Sequence, residues 1–378
     1  MSPLDELELY LRPAAGGLYL VSTGRAEQLA LQRRLYSATS EEEVRARHRE
    51  NLARIASAKV ALLGIPSDVG AGFRRGANLG PQAIRERLLE DEPGFFARAQ
   101  EKGIVDIGDV FVVPQLLHDS MLSEEQQAQS RRALYPRHQE PLPVSPLSIA
   151  ERALDLVFAL NPRIKPMLLG GDHSAALPLA FALSRVRKDP WGIVQPDAHT
   201  DLLEERLGVK YCFGTWSYHA NELLGRGGRL VQVGVRASGK ERAHWEKTYG
   251  VRQFWAREIL ADPAGALEAV LAHVQASGVK AVYFSNDIDG TDAAYADATG
   301  TPEPGGLDPE WVVALVRRLG REVGLCAGDV MEVAPSLQRT PDSASRTLGL
   351  AARYVRETLA ALLEEGPLHP SPRGRGSG

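Results

Sequence analysis

Hydrophobic positions in this chain fall into short unbroken runs separated by longer mixed stretches, and the alternation starts at Lys59. Val60 to Ile65, ended by Pro66, is apolar or Gly throughout, the pattern of a strand buried on both faces. Ile104–Ile107, Pro166–Leu169, Gly192–Gln195, Arg229–Val235, Ala281–Phe284 and a stretch within Leu325–Val333 repeat it. Between them lie helix-length segments. One is opened by Pro81 and runs through Ile84 and Leu88. The others are Ser148–Leu160, Ala175–Val186, Pro263–Ala276 with Asp262 as its cap, Pro309–Val323 and Ser343–Leu363. Strands alternating with helices predict an α/β chain whose parallel sheet is covered on both faces.

The alternation also marks what lies outside it. Residues 1–57 are rich in charge and helix formers, and Ser40 followed by Glu41, Glu42 and Glu43 reads as a capped helix start. They are expected to form a helical N-terminal extension packed on a single domain, 58–366. Within that domain, 114–146 carries several prolines and a polar centre from Glu124 to Glu140. It reads as an inserted loop with room for a short helix. Residues 367–378, rich in Pro, Gly, Arg and Ser, read as a disordered tail.

Composition narrows the function classes. The formal net charge of -4 leaves no electrostatic footprint for nucleic acid or an anionic membrane surface. No apolar stretch is long enough to span a bilayer, and the N-terminus has no basic-then-apolar leader pattern. The only cysteines, Cys212 and Cys326, are far apart and predict neither a disulfide framework nor a thiolate metal site. A reducing cytoplasm is the expected compartment.

Three segments carry chemistry, and each follows an apolar run: Gly170-Gly171-Asp172-His173-Ser174, Asp197-Ala198-His199-Thr200-Asp201, and Asp287-Ile288-Asp289-Gly290-Thr291-Asp292. In open α/β sheets ligands bind outside the carboxyl ends of the strands, so the three segments can converge. Alternate residues of an extended segment point the same way, which groups Asp197 with His199 and Asp201, and Asp287 with Asp289. With His173 this gives two imidazoles and four carboxylates, a set that repels itself unless cations neutralise it. Mixed nitrogen and oxygen donors suit Mn²⁺ or a similar first-row ion. Two such ions can acidify a shared water and stabilise charge developing on an electrophilic carbon.

These three segments resemble the signature motifs of the ureohydrolases: arginase, agmatinase, guanidinobutyrase and formiminoglutamase. Gly76 to Arg85, Gln232 to Arg236 and Gly300 to Leu307 look like the same family, and the likeness runs from about Lys59 to the last helix. The resemblance implies a three-layer α/β/α fold with a mostly parallel central sheet. It also implies two divalent ions, manganese or alternatively nickel, and a homo-oligomer, trimeric or hexameric. The implied reaction is hydrolysis of a C–N bond in a small guanidino or amidino substrate, releasing urea through a metal-bridging hydroxide. Asp197 and Asp287 would bridge the ions, His173 and Asp201 would complete one, and His199 and Asp289 the other. Glu332, in Met331-Glu332-Val333, matches the family glutamate that pairs with the substrate guanidinium, a task for charge-assisted paired hydrogen bonds.

One position departs from the pattern. Arginases and agmatinases carry a proton-shuttling His before a Gly, whereas here Tyr211-Cys212-Phe213-Gly214-Thr215 puts Phe213 in that place. Phe213 and Thr215 are therefore expected to shape the substrate pocket, with His219 or Tyr218 as candidates to take over proton transfer. The stretch Leu202–Lys210 lacks the arginase residues that read an amino-acid head group, which points away from arginine. A formiminoglutamase-like hydrolase and a non-catalytic metal-binding paralogue are the alternatives. The Gly70-Ala71-Gly72…Gly76 loop does not make a dinucleotide site, because its third glycine is one residue late and its helix starts only near Pro81.

Overall fold

The computed structural model describes residues 1–366; the tail expected to be disordered lies outside the described residues. Among the described residues nine strands form one sheet: β1 Leu11–Arg12, β2 Val60–Ile65, β3 Ile104–Val110, β4 Lys165–Gly170, β5 Trp191–Pro196, β6 Leu230–Val235, β7 Arg252–Trp255, β8 Ala281–Asp287 and β9 Leu325–Met331. Their order is β1-β3-β2-β4-β9-β8-β5-β6-β7, and every neighbouring pair is parallel except β1 with β3. The fully apolar strands of the sequence are buried on both sides because successive residues feed different cores. Ala61, Leu63 and Ile65 join the cluster built with helices Pro146–Leu160 and Leu177–Val186. Val60 and Leu62 join the cluster built with helices Gly80–Asp91, Pro309–Glu322 and Ser343–Leu363. The result is the three-layer α/β/α architecture.

The chain order of the strands makes the site. β4 is followed in sequence by β5, but β9 and β8 lie between them in the sheet. The carboxyl ends of β4, β9, β8 and β5 are therefore side by side; β4, β5 and β8 each lead directly into one of the three polar segments, and β9 leads into Glu332.

The first 57 residues supply helices Pro3–Tyr10, Arg25–Tyr36 and Glu41–Arg54 and also β1. β1 pairs Leu11 with Val110 and covers the open edge of β3, a device that blocks edge-to-edge association. Ser40 caps its helix by accepting from the Glu43 N–H at 3.2 Å. The segment 114–146 is more ordered than a loop: it holds a 3-10 turn, Asp119–Met121, and helix Glu124–Leu134, whose Ser123 and Gln126 form a capping box. In the Gly76–Arg85 segment, Arg85 is fully buried and is bound by Asp106, at 2.8 and 3.0 Å, and by Asp109. Its role is to tie the Gly80–Asp91 helix to β3.

His48 joins this extension to the sheet through a 3.0 Å hydrogen bond between Nε2 and the Ile107 carbonyl. Burial pushes its pKa down from 6.5 to about 4. The unfolded chain protonates this ring near 6.5 but the folded protein only near 4, so stability is lost as pH falls through that window. Between pH 7 and 5 the loss from this residue should be roughly 2 kcal/mol. Guanidinium-chloride unfolding at both pH values should show that loss in the native protein, and a His48→Gln variant should lack it.

Candidate metal centre

Each acidic or imidazole donor sits where a strand stops. After β4, His173 opens a 3-10 turn that Asp172 caps by accepting from the Ser174 N–H at 2.9 Å. After β5 the chain runs Asp197 to Asp201. β8 ends at Asp287, and the turn Ile288–Gly290 presents Asp289. Gly290 permits close packing of these two segments, because a Cβ there would stand 2.6 Å from the Asp197 nitrogen. Asp201 and Glu332 adopt left-handed backbone, at φ 50 and 63, which costs on the order of 1–3 kcal/mol for a residue with a side chain.

The donor atoms converge into two groups that share one residue. His173, Asp197 and Asp201 form the first, and Asp197, His199 and Asp289 the second, each with its ligand atoms within 4.8 Å of one another. His173 Nδ1 lies 3.0 Å from Asp287 Oδ2, 3.3 Å from Asp197 Oδ2 and 3.6 Å from Asp201 Oδ2. His199 Nδ1 lies 3.2 Å from Asp289 Oδ2 and 3.6 Å from Asp197 Oδ1. Asp197 therefore turns one oxygen toward each imidazole. Asp287 is outside both groups but against His173, and its Oδ1 accepts from the Asp289 N–H at 2.8 Å.

Surrounding side chains hold the donors in place. His173 Nε2 lies 3.1 Å from Ser285 Oγ, which donates to Asp329 at 2.8 Å. That chain directs Nδ1 at the carboxylates, as a hydrogen bond on the far ring nitrogen does for metal-binding imidazoles. Trp216 stacks on His173 with ring centroids 4.5 Å apart and donates its indole N–H to Asp201 at 3.1 Å. Thr301, from the Gly300–Leu307 segment, donates to Asp289 at 2.9 Å. Arg236 clamps the β8 turn by donating to the carbonyls of Asp289 at 2.6 Å and Gly290 at 3.1 Å. Thr301 and Arg236 fall in segments whose resemblance to the family the sequence shows, whereas Ser285 and Trp216 carry no signature readable in a single sequence.

The electrostatics fit a cation-binding cage. Burial disfavours charge on His173, but the Asp197 and Asp287 carboxylates outweigh it and hold its pKa well above the ordinary value. His199, opposed by burial and drawn by Asp289 and Asp197, is raised to about 12. Burial, then the neighbouring charges of Asp289 and Asp197, pushes Asp287 well up, and burial with Asp197 does the same to Asp201. A buried set that must gather protons to offset its own charge is one that divalent ions would satisfy.

Glu332 stands beside this cluster. Its Oε1 accepts from the His173 N–H at 3.0 Å, while among the described residues Oε2 has no hydrogen-bond partner. The structure places the remaining expected residues differently. The Thr215 hydroxyl is used within its own turn, accepting from Cys212 N–H at 2.9 Å and donating to the Lys210 carbonyl at 2.8 Å, so it shapes the turn that carries Phe213. His219 Nε2 meets the same Lys210 carbonyl at 3.0 Å, and its ring packs on Tyr211 and Tyr218. It belongs to neither donor group, because the turn before its helix directs it outward. Tyr218 packs on Tyr249 and His219. His48, His118, His138, His244 and His273 also belong to neither group; His369 lies outside the described residues.

Phe213 forms one wall of a cavity of about 520 Å³ that Gly72, Phe73, Met121, Arg75 and Arg206 also line. Its N–H donates to the Gly70 carbonyl at 3.1 Å, and a Cβ built on Gly70 would stand 2.6 Å from Ser174 Oγ, next to His173. The cavity and the donor cluster thus meet at the 212–216 turn, where Cys212 and Phe213 line the cavity and Trp216 stacks on His173.

Residues 58–361 match the arginase family. The guanidinobutyrase of Pseudomonas aeruginosa is 30% identical over 323 residues, 83% of this chain and 90% of that protein. The mitochondrial guanidino acid hydrolase of Homo sapiens is 32% identical over 80% of this chain and 78% of its own. Among solved structures, the proclavaminate amidino hydrolase of Streptomyces clavuligerus superposes with a TM-score of 0.63 at 28% identity, covering 82% of this chain and 92% of that one. No helix among the described residues is long and apolar enough to cross a membrane.

Proposed function

Because this chain belongs to the arginase family, whose members are metal-dependent hydrolases of guanidino C–N bonds, we propose that it cleaves a guanidino carboxylic acid to urea and an amino acid. The observation that carries the reading is the pair of donor groups sharing Asp197, with the free oxygen of Glu332 beside them. His173, Asp197, Asp201 and Asp287 would hold one divalent ion, and Asp197, Asp287, His199 and Asp289 the other. When bound, such ions supply a water that is nucleophilic at neutral pH and positive charge near the reacting carbon. The protein's own contribution is to orient. Glu332 would pair with the guanidinium, and Ser285, Trp216 and Thr301 keep the donors from turning away.

An acidic tail on the substrate would suit the cavity that Phe213 lines. Its fully charged lining residues are both cationic, Arg75 and Arg206, with no carboxylate among the described lining residues. Arg206 stacks over the Phe213 ring, 4.8 Å from its centroid. A guanidinium so held is pre-organised for a substrate carboxylate and repels a substrate ammonium. The guanidinobutyrase and guanidino acid hydrolase relatives support the same class.

Urea release by the Mn²⁺-loaded and Ni²⁺-loaded protein tests the reading with 4-guanidinobutyrate, 3-guanidinopropionate, agmatine, arginine and guanidine. The guanidino acids are expected to be preferred. Arg206→Glu should lower kcat/KM for 4-guanidinobutyrate about 10- to 100-fold, the worth of one charge-assisted bond, while agmatine hydrolysis holds or rises. Preference for agmatine would overturn the acidic tail. No urea from any compound with two ions bound would overturn the hydrolysis itself; formamide from a formimino substrate would then reassign it.

A further inference from the structure

Three glutamines stand side by side in the core of the sheet. Gln195 of β5 pairs in register with Gln232 of β6, and Gln232 with Gln253 of β7. All three are completely buried. Buried amides are unfavourable unless bonded, and the other residues of β5 and β6 are apolar or Gly, so stability alone gives no reason for them. They are bonded in one file. Trp255 Nε1 donates to Gln253 Oε1 at 2.9 Å, and Gln253 Nε2 donates to Gln232 Oε1 at 2.8 Å. Gln232 Nε2 donates to Gln195 Oε1 at 2.9 Å, and Gln195 Nε2 donates to Asp197 Oδ2 at 2.7 Å.

The file has one direction, set by its ends. An indole N–H can only donate and a carboxylate can only accept. Gln253 must therefore show its oxygen to Trp255, and each amide in turn must show its nitrogen toward the next. A single flipped amide would place oxygen against oxygen. Two branches reinforce the order: Ser217 Oγ donates to Gln195 Oε1 at 2.8 Å, and Gln232 Nε2 also reaches the Thr200 carbonyl at 2.6 Å. The second branch anchors the loop that carries His199 and Asp201.

We propose that Gln195, Gln232 and Gln253 are positioning residues: with Trp255 they form a polarised relay that presets the Asp197 carboxylate to be shared between two cations. The relay supplies Asp197 Oδ2 with one donor, and the His199 N–H supplies Oδ1 with another at 2.7 Å. Each oxygen is thereby fixed in direction and keeps a lone pair free for its own side of the centre. The relay spans two strand spacings, roughly 10 Å, so a change near the sheet edge acts on the centre without touching it. This rests on the reading of Asp197 as a shared ligand.

The test is Mn²⁺ binding by calorimetry to the full chain, with kcat, KM and the melting temperature of the metal-free protein alongside. The variants are Gln253→Met, Trp255→Phe, their double, and Gln195→Met. Val231→Ala, a core truncation in β6 with no place in the relay, is the control. Outer-shell partners typically change metal affinity 10–100-fold. Gln195→Met is expected at that level and Gln253→Met at about tenfold. The double should be no worse than Gln253→Met alone, because one break already undoes the order. KM should stay unchanged, and Val231→Ala should lower the melting temperature but not the affinity. Relay variants that melt lower yet bind Mn²⁺ like the native protein overturn the proposal and leave the metal centre standing. A native protein that takes up neither Mn²⁺ nor Ni²⁺ overturns the metal centre, and the relay's purpose with it. Should Gln253→Met not fold, Trp255→Phe, which keeps an aromatic ring and removes only the first donor, decides by the same readout.

Discussion

Asp201→Asn should make the metal-free protein more heat-stable while removing much of its stabilisation by divalent ions. Asp201 is buried against Asp197, and that neighbouring charge adds to the cost of burial. Replacing it with an amide of the same shape removes one like charge from a closed site, a relief of about 1–3 kcal/mol. The exchange is otherwise mild. Asn tolerates the left-handed backbone that Asp201 adopts at φ 50 better than most residues, and its carbonyl can keep the Trp216 indole bond. The loaded protein should respond in the opposite sense. A site filled at 100 times its Kd stabilises by about 2.7 kcal/mol, and the variant should forfeit that for the ion near His173. Calorimetric melting in EDTA and then in Mn²⁺ separates the two effects. A variant that melts lower than the native protein in EDTA, with an unchanged Mn²⁺ shift, would show that Asp201 is an ordinary structural carboxylate. Stability given up for a charged cage is the pattern expected of a site selected for function.

The contrast between donors and supports explains how much the sequence shows. An Asp or His at the end of an apolar run is visible because the strand period and the strand end are both local features. The central strands were legible for the same reason. β7 was not: Arg252-Gln253 opens it with polar residues, and only pairing with Gln232 makes Gln253 interior. β1 is two residues long and exists because β3 offers an open edge. The supports of the centre are equally non-local. Trp216, Ser285, Thr301 and Arg236 matter through contacts between distant elements, and a lone Gln195 in an apolar strand reads as an oddity until Gln232 and Gln253 stand beside it. His219 shows the reverse error. Chemical capacity made it a candidate, but the turn held by Thr215 directs it to Lys210 and away from the donors. Side-chain type announces what a residue can do, and only the fold states what it faces.

If Glu332 pairs with the guanidinium as proposed, Glu332→Gln should separate recognition from metal binding. The glutamate follows β9 in left-handed backbone, at φ 63, and is held by its own N–H to the Gly171 carbonyl at 2.8 Å. Gln keeps the oxygen that accepts from the His173 N–H, so the donor cluster should remain in place and Mn²⁺ affinity should stay within about twofold. What it loses is the counter-charge. Burial, and then the charge of Asp172, makes a carboxylate here unfavourable without a cationic partner, and an arriving guanidinium would be that partner. Breaking a buried ion pair by removing one member costs about 3–5 kcal/mol, which corresponds to a fall in kcat/KM of about 10²- to 10⁴-fold. Urea-release kinetics and Mn²⁺ calorimetry on the same preparation give both numbers. Near-native kcat/KM would move guanidinium recognition to another residue. Collapse of Mn²⁺ binding would make Glu332 a support for His173, and the free oxygen would then need a different explanation.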